Sequence, residues 1–259
     1  MNDSALTFIS IATGKYLEYW FNQALSIQEY YKGKSPIKLI LLTDQVTSTD
    51  EWRKINLEIP IEIISVPSYG WPEATLLRYK LMSDISRNLL EGVCIYLDAD
   101  MRFVKTFTED QFESSPSLRM TFVEHPGYWR STDMGTYFRN PGLIARDIFR
   151  KLKFGGLGAW ETRKVSLAYC ERSRRKRYCC GGIWFGPKVK FLDFINQMSV
   201  NVQTDWENGI IAIWHDESHL NKWISENSYN LQDPSYCYAS EFRHLKGIRP
   251  LVIAVQKNL

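Results

Sequence analysis

The sequence predicts an α/β fold, a mostly parallel sheet flanked by helices. Short apolar runs alternate with segments of helical periodicity, the runs end in Gly, Pro or Asp punctuation, and 259 residues suffice to bury one substantial core. Leu6 to Ile11 is the first run, ended by Thr13-Gly14, after which Tyr16, Leu17, Trp20, Phe21, Leu25 and Ile27 recur at helical spacing. Ile37 to Leu42 reads as a buried strand ending in Thr43-Asp44-Gln45. Ile59 to Val66 reads as another, closed by Pro67 and the Gly70-Trp71-Pro72 turn. Glu73 to Leu90 predicts a long helix, and Val93 to Leu97 the next strand, which acidic residues follow at once. The second half is less regular: Gly155-Gly156-Leu157-Gly158, a basic run from Arg172 to Arg177, and Gly181-Gly182 read as substrate-shaping loops. No internal repeat or low-complexity linker divides the chain, so residues 1–259 are expected to form one domain.

Composition narrows the function classes. A formal net charge of +3 gives no case for nucleic acid, and the 24% charged and 44% hydrophobic fractions are those of an ordinary soluble protein. The five cysteines (Cys94, Cys170, Cys179, Cys180 and Cys237) are odd in number and lack metal-type spacing, which indicates neither a disulfide framework nor a structural zinc site. Reduced thiols and a cytoplasmic location are the simplest expectation. Met1-Asn2-Asp3-Ser4 has no basic or long apolar character, and no run approaches the roughly 18 apolar residues of a membrane span.

Two acidic motifs carry the chemistry. Asp98 and Asp100 follow an apolar strand, where parallel sheets bind their ligands, and residues two apart on an extended segment project to one side. Such hard oxygen ligands suit magnesium or manganese, with a diphosphate completing the shell. The second motif is His215-Asp216-Glu217-Ser218-His219. A zinc-protease motif would put Glu directly after the first His, where Asp216 stands, and on a helix Glu217 lies about 200° round from each histidine. Two readings stay open on these residues: Asp216 and Glu217 aimed at a sugar from the mouth of a helix, or Asp216 as a helix N-cap with Glu217 favourable to the dipole.

Together these residues resemble glycosyltransferase family 6, the family of the ABO blood-group transferases and the α-1,3-galactosyltransferase, particularly its short bacterial and phage members. The matching segments begin with Thr13-Gly14-Lys15-Tyr16, Leu42-Thr43-Asp44-Gln45, Asp98-Ala99-Asp100 and His125-Pro126-Gly127-Tyr128. They continue through Tyr178-Cys179-Cys180-Gly181-Gly182, Asn208-Gly209-Ile210 and Trp214 to Lys222, covering nearly the whole chain. The resemblance implies the A-type glycosyltransferase fold, a Rossmann-like α/β domain. It implies a retaining α-1,3-transfer of GalNAc or galactose from a UDP-sugar to a galactose-containing glycan, such as a fucosylated one, with manganese or magnesium as cofactor. Nucleic acid is not among the implied partners.

By the same resemblance, Asp98 and Asp100 bind the metal and the UDP diphosphate. Ile11, Tyr16 and Arg78 contact the donor, and Lys257 closes over the diphosphate. Cys180, Gly181 and Gly182 select the donor sugar, and room beside Gly182 for a 2-acetamido group favours UDP-GalNAc over UDP-galactose. His125 and Trp214 contact the acceptor sugar. Glu217 is the nucleophile or oxocarbenium stabiliser at the acceptor junction, and Asp216 orients donor hydroxyls. Structural readings stand beside these: helix packing for Tyr16, surface charge for Arg78 and Lys257, a satisfied loop histidine for His125, core packing for Trp214 and a tight turn for Gly181-Gly182.

The chain departs from the family at Ala159, where the family has Thr, and near Ala239, where an acceptor-binding Asp is expected, so the acceptor is open. The Arg172 to Arg177 run supports two further expectations, closure over phosphate or a solvated loop. It also motivates the alternative of an anionic-polymer binder on a vestigial enzyme fold, besides a UDP-sugar hydrolase or sugar-binding module without transfer.

Overall fold

The computed structural model describes residues 5–45, 56–112, 118–130, 137 and 141–256. In chain order these include strand β1 (Ala5–Ile11), helix α1 (Tyr16–Tyr30), strands β2 (Ile37–Thr43) and β3 (Ile61–Ser65), and helices α2 (Glu73–Leu76) and α3 (Arg78–Asp84). Strands β4 (Gly92–Leu97), β5 (Met101–Phe103) and β6 (Thr121–Glu124) follow, then α4 (Pro141–Phe154), β7 (Cys179–Pro187), α5 (Lys188–Glu207) and α6 (His215–Glu226). Strands β8 (Asn230–Gln232) and β9 (Val252–Ala254) complete the set.

Alternation of apolar side chains along each strand places a core on both faces of the sheet. Leu6, Phe8, Leu39, Leu41, Ile95 and Leu97 pack on one face against Leu17, Trp20, Ala24 and Ile27 of α1. Ile9, Ile40, Leu42, Tyr96 and Trp184 pack on the other, beneath Tyr79 and Met82 of α3, Phe191, Phe194 and Met198 of α5, and Leu220 of α6. The sheet has seven strands in the order β3-β2-β1-β4-β7-β6-β8. Its first four run parallel, β7 is antiparallel to both β4 and β6, and β8 returns parallel to β6. Strands β5 and β9 form a separate antiparallel pair. This mixed, mostly parallel sheet between helices is consistent with the A-type glycosyltransferase architecture.

Three expectations are corrected. The long helix over 73–90 breaks at Leu77 (φ −81°, ψ −6°) and again at Ile85 (φ −100°, ψ 15°), before a 3₁₀ turn at Ser86–Asn88. Its buried residues include Leu76, Tyr79, Met82 and Ile85, which recur every three positions, so along a continuous α-helix each would rotate about 60° from the last. The breaks keep that stripe on the sheet. Gly181-Gly182 is not a loop but lies within β7, where its register with β6 shifts. Strand β3 begins at Ile61, after Pro60, whose missing N–H cannot serve the ladder.

Gly92 opens β4 with φ +136°, and a Cβ there would lie 2.2 Å from the Ala5 carbonyl oxygen, in the β1 strand paired with it. Gly92→Ala is expected to cost about 2–4 kcal/mol in urea unfolding, from backbone strain plus displacement of Ala5.

Candidate active site

β1 and β4 point their carboxyl ends into a cleft of about 370 Å³, whose lining includes Ile11, Tyr16, Arg78, Tyr96, Asp98 and Asp100. The loop segments Thr13-Gly14 and Asp44-Gln45 meet at its edge. Gly14 N donates to Asp44 Oδ1 at 2.9 Å, and Gln45 Nε2 donates to the Gly14 carbonyl at 2.8 Å. Gly14 takes φ +53°, which a residue with a side chain rarely adopts. A second hollow of about 290 Å³, walled by Leu76, Val202 and Trp206, holds none of the cleft's aspartates.

The acidic segment after β4 is a turn, which corrects the extended geometry expected of it. Met101 N donates to the Asp98 carbonyl at 3.0 Å, and Asp98 N donates to the Gly182 carbonyl at 2.8 Å. A residue that sequence reading passed over locks this turn. Gln23, fully buried in α1, accepts from Ser10 Oγ at 2.6 Å and donates from Nε2 to the carbonyls of Asp98 (2.6 Å) and Met101 (3.0 Å). Its signal in the sequence was a polar residue on the same helix face as Trp20 and Ile27, where water cannot satisfy it.

Arg78, at the first position of α3, joins the two acidic motifs. Its Nη2 lies 3.3 Å from Asp98 Oδ1, and its Nη1 lies 3.1 Å from Asp216 Oδ2 and donates to the Gly181 carbonyl at 3.1 Å. The guanidinium also sits over the Tyr96 ring, 5.1 Å from its centroid. Arg78 is therefore no surface charge. Burial opposes its positive charge, but Asp216, Tyr96 and Asp98 outweigh it and hold the group well above the usual arginine range. Tyr96 donates its hydroxyl to Asp98 Oδ1 at 2.6 Å.

The second motif is presented by α6, which Trp214, not Asp216, precedes as the capping position. Ser218 Oγ accepts from Trp214 N at 3.0 Å, so the serine closes the turn and the N-cap reading of Asp216 fails. Asp216 and Glu217 lie in the helix's first turn. Asn221 fixes α6 to β7 by accepting from Cys179 N at 2.8 Å and donating to the Cys179 and Glu217 carbonyls at 2.9 Å each. Gly181 N donates to Glu217 Oε2 at 2.8 Å. A Cβ at Gly181 would stand 3.4 Å from Asp216 Oδ2, and one at Gly182 would stand 3.0 Å from Asp98 Oδ2. The paired glycines thus let both acidic motifs approach one strand. Neighbouring Cys180 is buried in the core under that strand.

Burial raises the Asp216 carboxyl to about 7, against the pull of Arg78 and with help from Asp98 and Glu217. Glu217 also rises to about 7, mainly by desolvation, although the Gly181 N–H and Tyr178 favour its charged form. Asp216 Oδ2 is buried without a hydrogen bond of good geometry, so its contact with Arg78 is one of charge alone.

His215 packs edge-on against Trp71 at 4.9 Å, whereas His219 is buried with its Nε2 3.5 Å from Asp205 Oδ2. The two histidines have separate protein partners. His125 accepts from Gly127 N at its Nδ1 (3.0 Å) and packs against the Tyr128 and Tyr178 rings, with burial depressing its pKa to about 4. Its imidazole is neutral near pH 7. Trp214 is 52% exposed, which excludes core packing, and Ala239 is buried. Tyr16 is half-buried at the start of α1, near Tyr19 and the core, yet it also lines the cleft. Lys257 lies outside the described residues.

The basic run is largely bonded to protein. Arg172 donates to the Leu152 carbonyl and Arg175 to those of Phe154 and Cys170, while Arg174 and Arg177 pair with Glu226 and Glu124. Among the described residues no group of three or more His, Cys, Asp or Glu side chains gathers as a metal site. The donor set near the cleft, two carboxylates on one turn, fits a divalent cation that takes the rest of its shell from phosphate and water.

A parallel sheet with an acidic turn at its switch to antiparallel pairing, and a second acidic pair facing it, defines the class of A-type glycosyltransferase folds. The glycosyltransferase family 6 model matches residues 154–259. The chain is 31% identical over 234 residues to the human globoside alpha-1,3-N-acetylgalactosaminyltransferase 1, covering 88% of this chain and 59% of that protein. It is 23% identical over 240 residues to the Escherichia coli O-antigen biosynthesis glycosyltransferase WbnI, covering 92% and 90%. It is 27% identical over 166 residues to the rat histo-blood group ABO system transferase 1, covering 62% of this chain but only 40% of that protein. On these matches the chain is similar to members of glycosyltransferase family 6, and it spans about half the length of the rat and human relatives.

The raised Glu217 carboxyl has a consequence for stability. The folded state keeps this proton in a range where the unfolded chain has lost it, so stability falls as pH rises from about 4.5 to 7. Glu217→Gln is expected to be more stable than the parent at pH 8 by about 1–3 kcal/mol, with the difference vanishing near pH 4, as thermal unfolding across pH would show.

Proposed function

We propose that the protein is a retaining α-1,3-glycosyltransferase that moves GalNAc or galactose from a UDP-sugar to a galactose-containing glycan, such as a fucosylated one, in a metal-dependent reaction. The observation that carries this reading is the Arg78 bridge, which joins Asp98 of the strand-end turn, in the cleft, to the buried Asp216 of α6. A diphosphate is bound from one side of that bridge and a hexose from the other.

In this reading Asp98 and Asp100 hold the metal with the diphosphate, and Ile11 and Tyr16 bound the nucleoside end of the cleft. Asp98 and Asp100 would hold manganese or magnesium, which when bound would supply Lewis-acid stabilisation of the leaving diphosphate in place of a protonated carboxylic acid. Arg78 adds fixed positive charge beside Asp98, and Lys257 closes over the diphosphate. Asp216, held beside Arg78, orients the donor hydroxyls. Glu217, oriented by the Gly181 N–H, serves the anomeric carbon as nucleophile or as a stabiliser of the oxocarbenium ion. Either role requires the carboxylate, so turnover rises with pH through about 7. His125 and Trp214 receive the acceptor sugar, the exposed indole supplying a stacking face. In the same reading Gly181 and Gly182 bound the sugar end, where the absence of side chains leaves room for a 2-acetamido group, while Cys180 acts from the core beneath them. The human relative's name specifies N-acetylgalactosamine, which favours the same donor.

UDP release measured with UDP-GalNAc and UDP-galactose, with and without manganese and a fucosyl-galactose acceptor, tests this reading. The expected result is metal-dependent release, stimulated by acceptor and faster with UDP-GalNAc. Full activity in excess chelator would defeat the metal assignment, and release indifferent to acceptor would make the protein a hydrolase. Glu217→Gln is expected to lower transfer by about 10³-fold or more while titration calorimetry shows UDP binding within about twofold of the parent.

A further inference from the structure

Helix α4, Pro141–Phe154, is amphipathic with its apolar face turned away from the protein. Its more buried positions, Leu143, Asp147, Arg150 and Phe154, fall within one sector about 60° wide at 100° per residue. Ile144, Ile148, Phe149 and Leu152 fall opposite, at 43%, 53%, 56% and 71% exposure. A helix that buries its apolar stripe against a sheet does the reverse. Cations border the outward stripe on both sides, exposed Arg146 and Lys153 along one edge and exposed Lys151 along the other. The helix's carboxylate, Asp147, is turned inward and held by Arg130 through Nε at 2.6 Å and Nη2 at 2.8 Å. The outer face therefore presents apolar and positive groups alone.

The helix is already docked, so this face is not waiting to fold inward. Arg172 and Arg175 donate to the Leu152 and Phe154 carbonyls at its last turn, and Arg150 lies over the Tyr128 ring at 4.9 Å. Among the described residues no helix is long and apolar enough to cross a membrane. An apolar stripe between two cationic edges matches the boundary between acyl chains and anionic headgroups, with the long cations reaching up to phosphate. A second copy of the chain fits less well, because a two-fold contact sets these cationic edges against each other.

We propose that α4 lies in the plane of an anionic phospholipid surface and docks the protein there by its outward face. Arg130 and Arg150 then hold the segment from His125 to Arg130 beside that surface. The inference stands on this helix and is independent of the reaction proposed above.

Flotation of the full chain with vesicles of phosphatidylglycerol and phosphatidylethanolamine, against vesicles of phosphatidylcholine, tests the proposal. The parent is expected to float with the anionic vesicles only, and to do so less as salt rises. Ile148→Glu with Leu152→Glu should lower the bound fraction at least about tenfold, and Arg146→Glu with Lys151→Glu comparably, with far-UV circular dichroism and melting temperature unchanged. The proposal is overturned if the parent stays unbound, if it binds phosphatidylcholine equally, or if the variants float as the parent does. Self-association in sedimentation velocity that the Ile148→Glu, Leu152→Glu variant abolishes, without any vesicle binding, would assign the face to a second copy and likewise refute it.

Discussion

One buried guanidinium organises the centre of this molecule. Asp98, Asp216 and Glu217 are carboxylates from segments more than a hundred residues apart, and gathering them in a partly dehydrated cleft costs both self-repulsion and lost hydration. Arg78 offsets part of that cost by contacting Asp98 and Asp216 together and anchoring itself on the Gly181 carbonyl. The compensation is incomplete, since Asp216 and Glu217 remain near 7, far above ordinary carboxylates. Groups that ionise reluctantly beside a cleft are typical of reactive sites, and the arginine links Asp216 to the Asp98 that lines it.

The supporting residues act through backbone groups. Gln23 holds the carbonyls of the acidic turn from below, and Asn221 grips both the N–H and the carbonyl of Cys179 while holding Glu217 by its main chain. Strand β7 is the common element. It pairs with β4, supplies Gly181 and Gly182 to the cleft, and receives α6 through Asn221. A side chain at Gly182 would crowd Asp98 and Met101, so the absence of a Cβ there lets the acidic turn lie close against this strand.

The second half of the chain is organised differently. Its arginines cap α4 and pair with Glu226 and Glu124, so a segment rich in positive charge behaves as internal fastening. Arginine suits this use because its planar fork reaches two carbonyls at once and keeps its charge when partly buried. The same fastening leaves α4 projecting its apolar stripe outward.

The strands were legible in the sequence because a buried strand requires apolar residues on both faces and a turn residue where the ladder stops, and β1, β2 and β4 show both. The acidic motifs were legible as candidates, since Asp98 and Asp100 follow such a strand, and the block from Trp214 to Lys222 is distinctive of the family the chain resembles. The interrupted helix over 73–90 was not, because a three-residue repeat looks helical until the sheet it must face is known. Nor was the placement of Gly181-Gly182, since paired glycines favour turns locally, whereas here they run within β7 where its register with β6 shifts. Sequence alone determined which residues could be strands and which carboxylates could bind a charged ligand, because those properties are local. Tertiary structure decided that Arg78 would join them, that Gln23 and Asn221 would hold them, and that the basic run would be spent on carbonyls. Those outcomes depend on distances between segments remote along the chain.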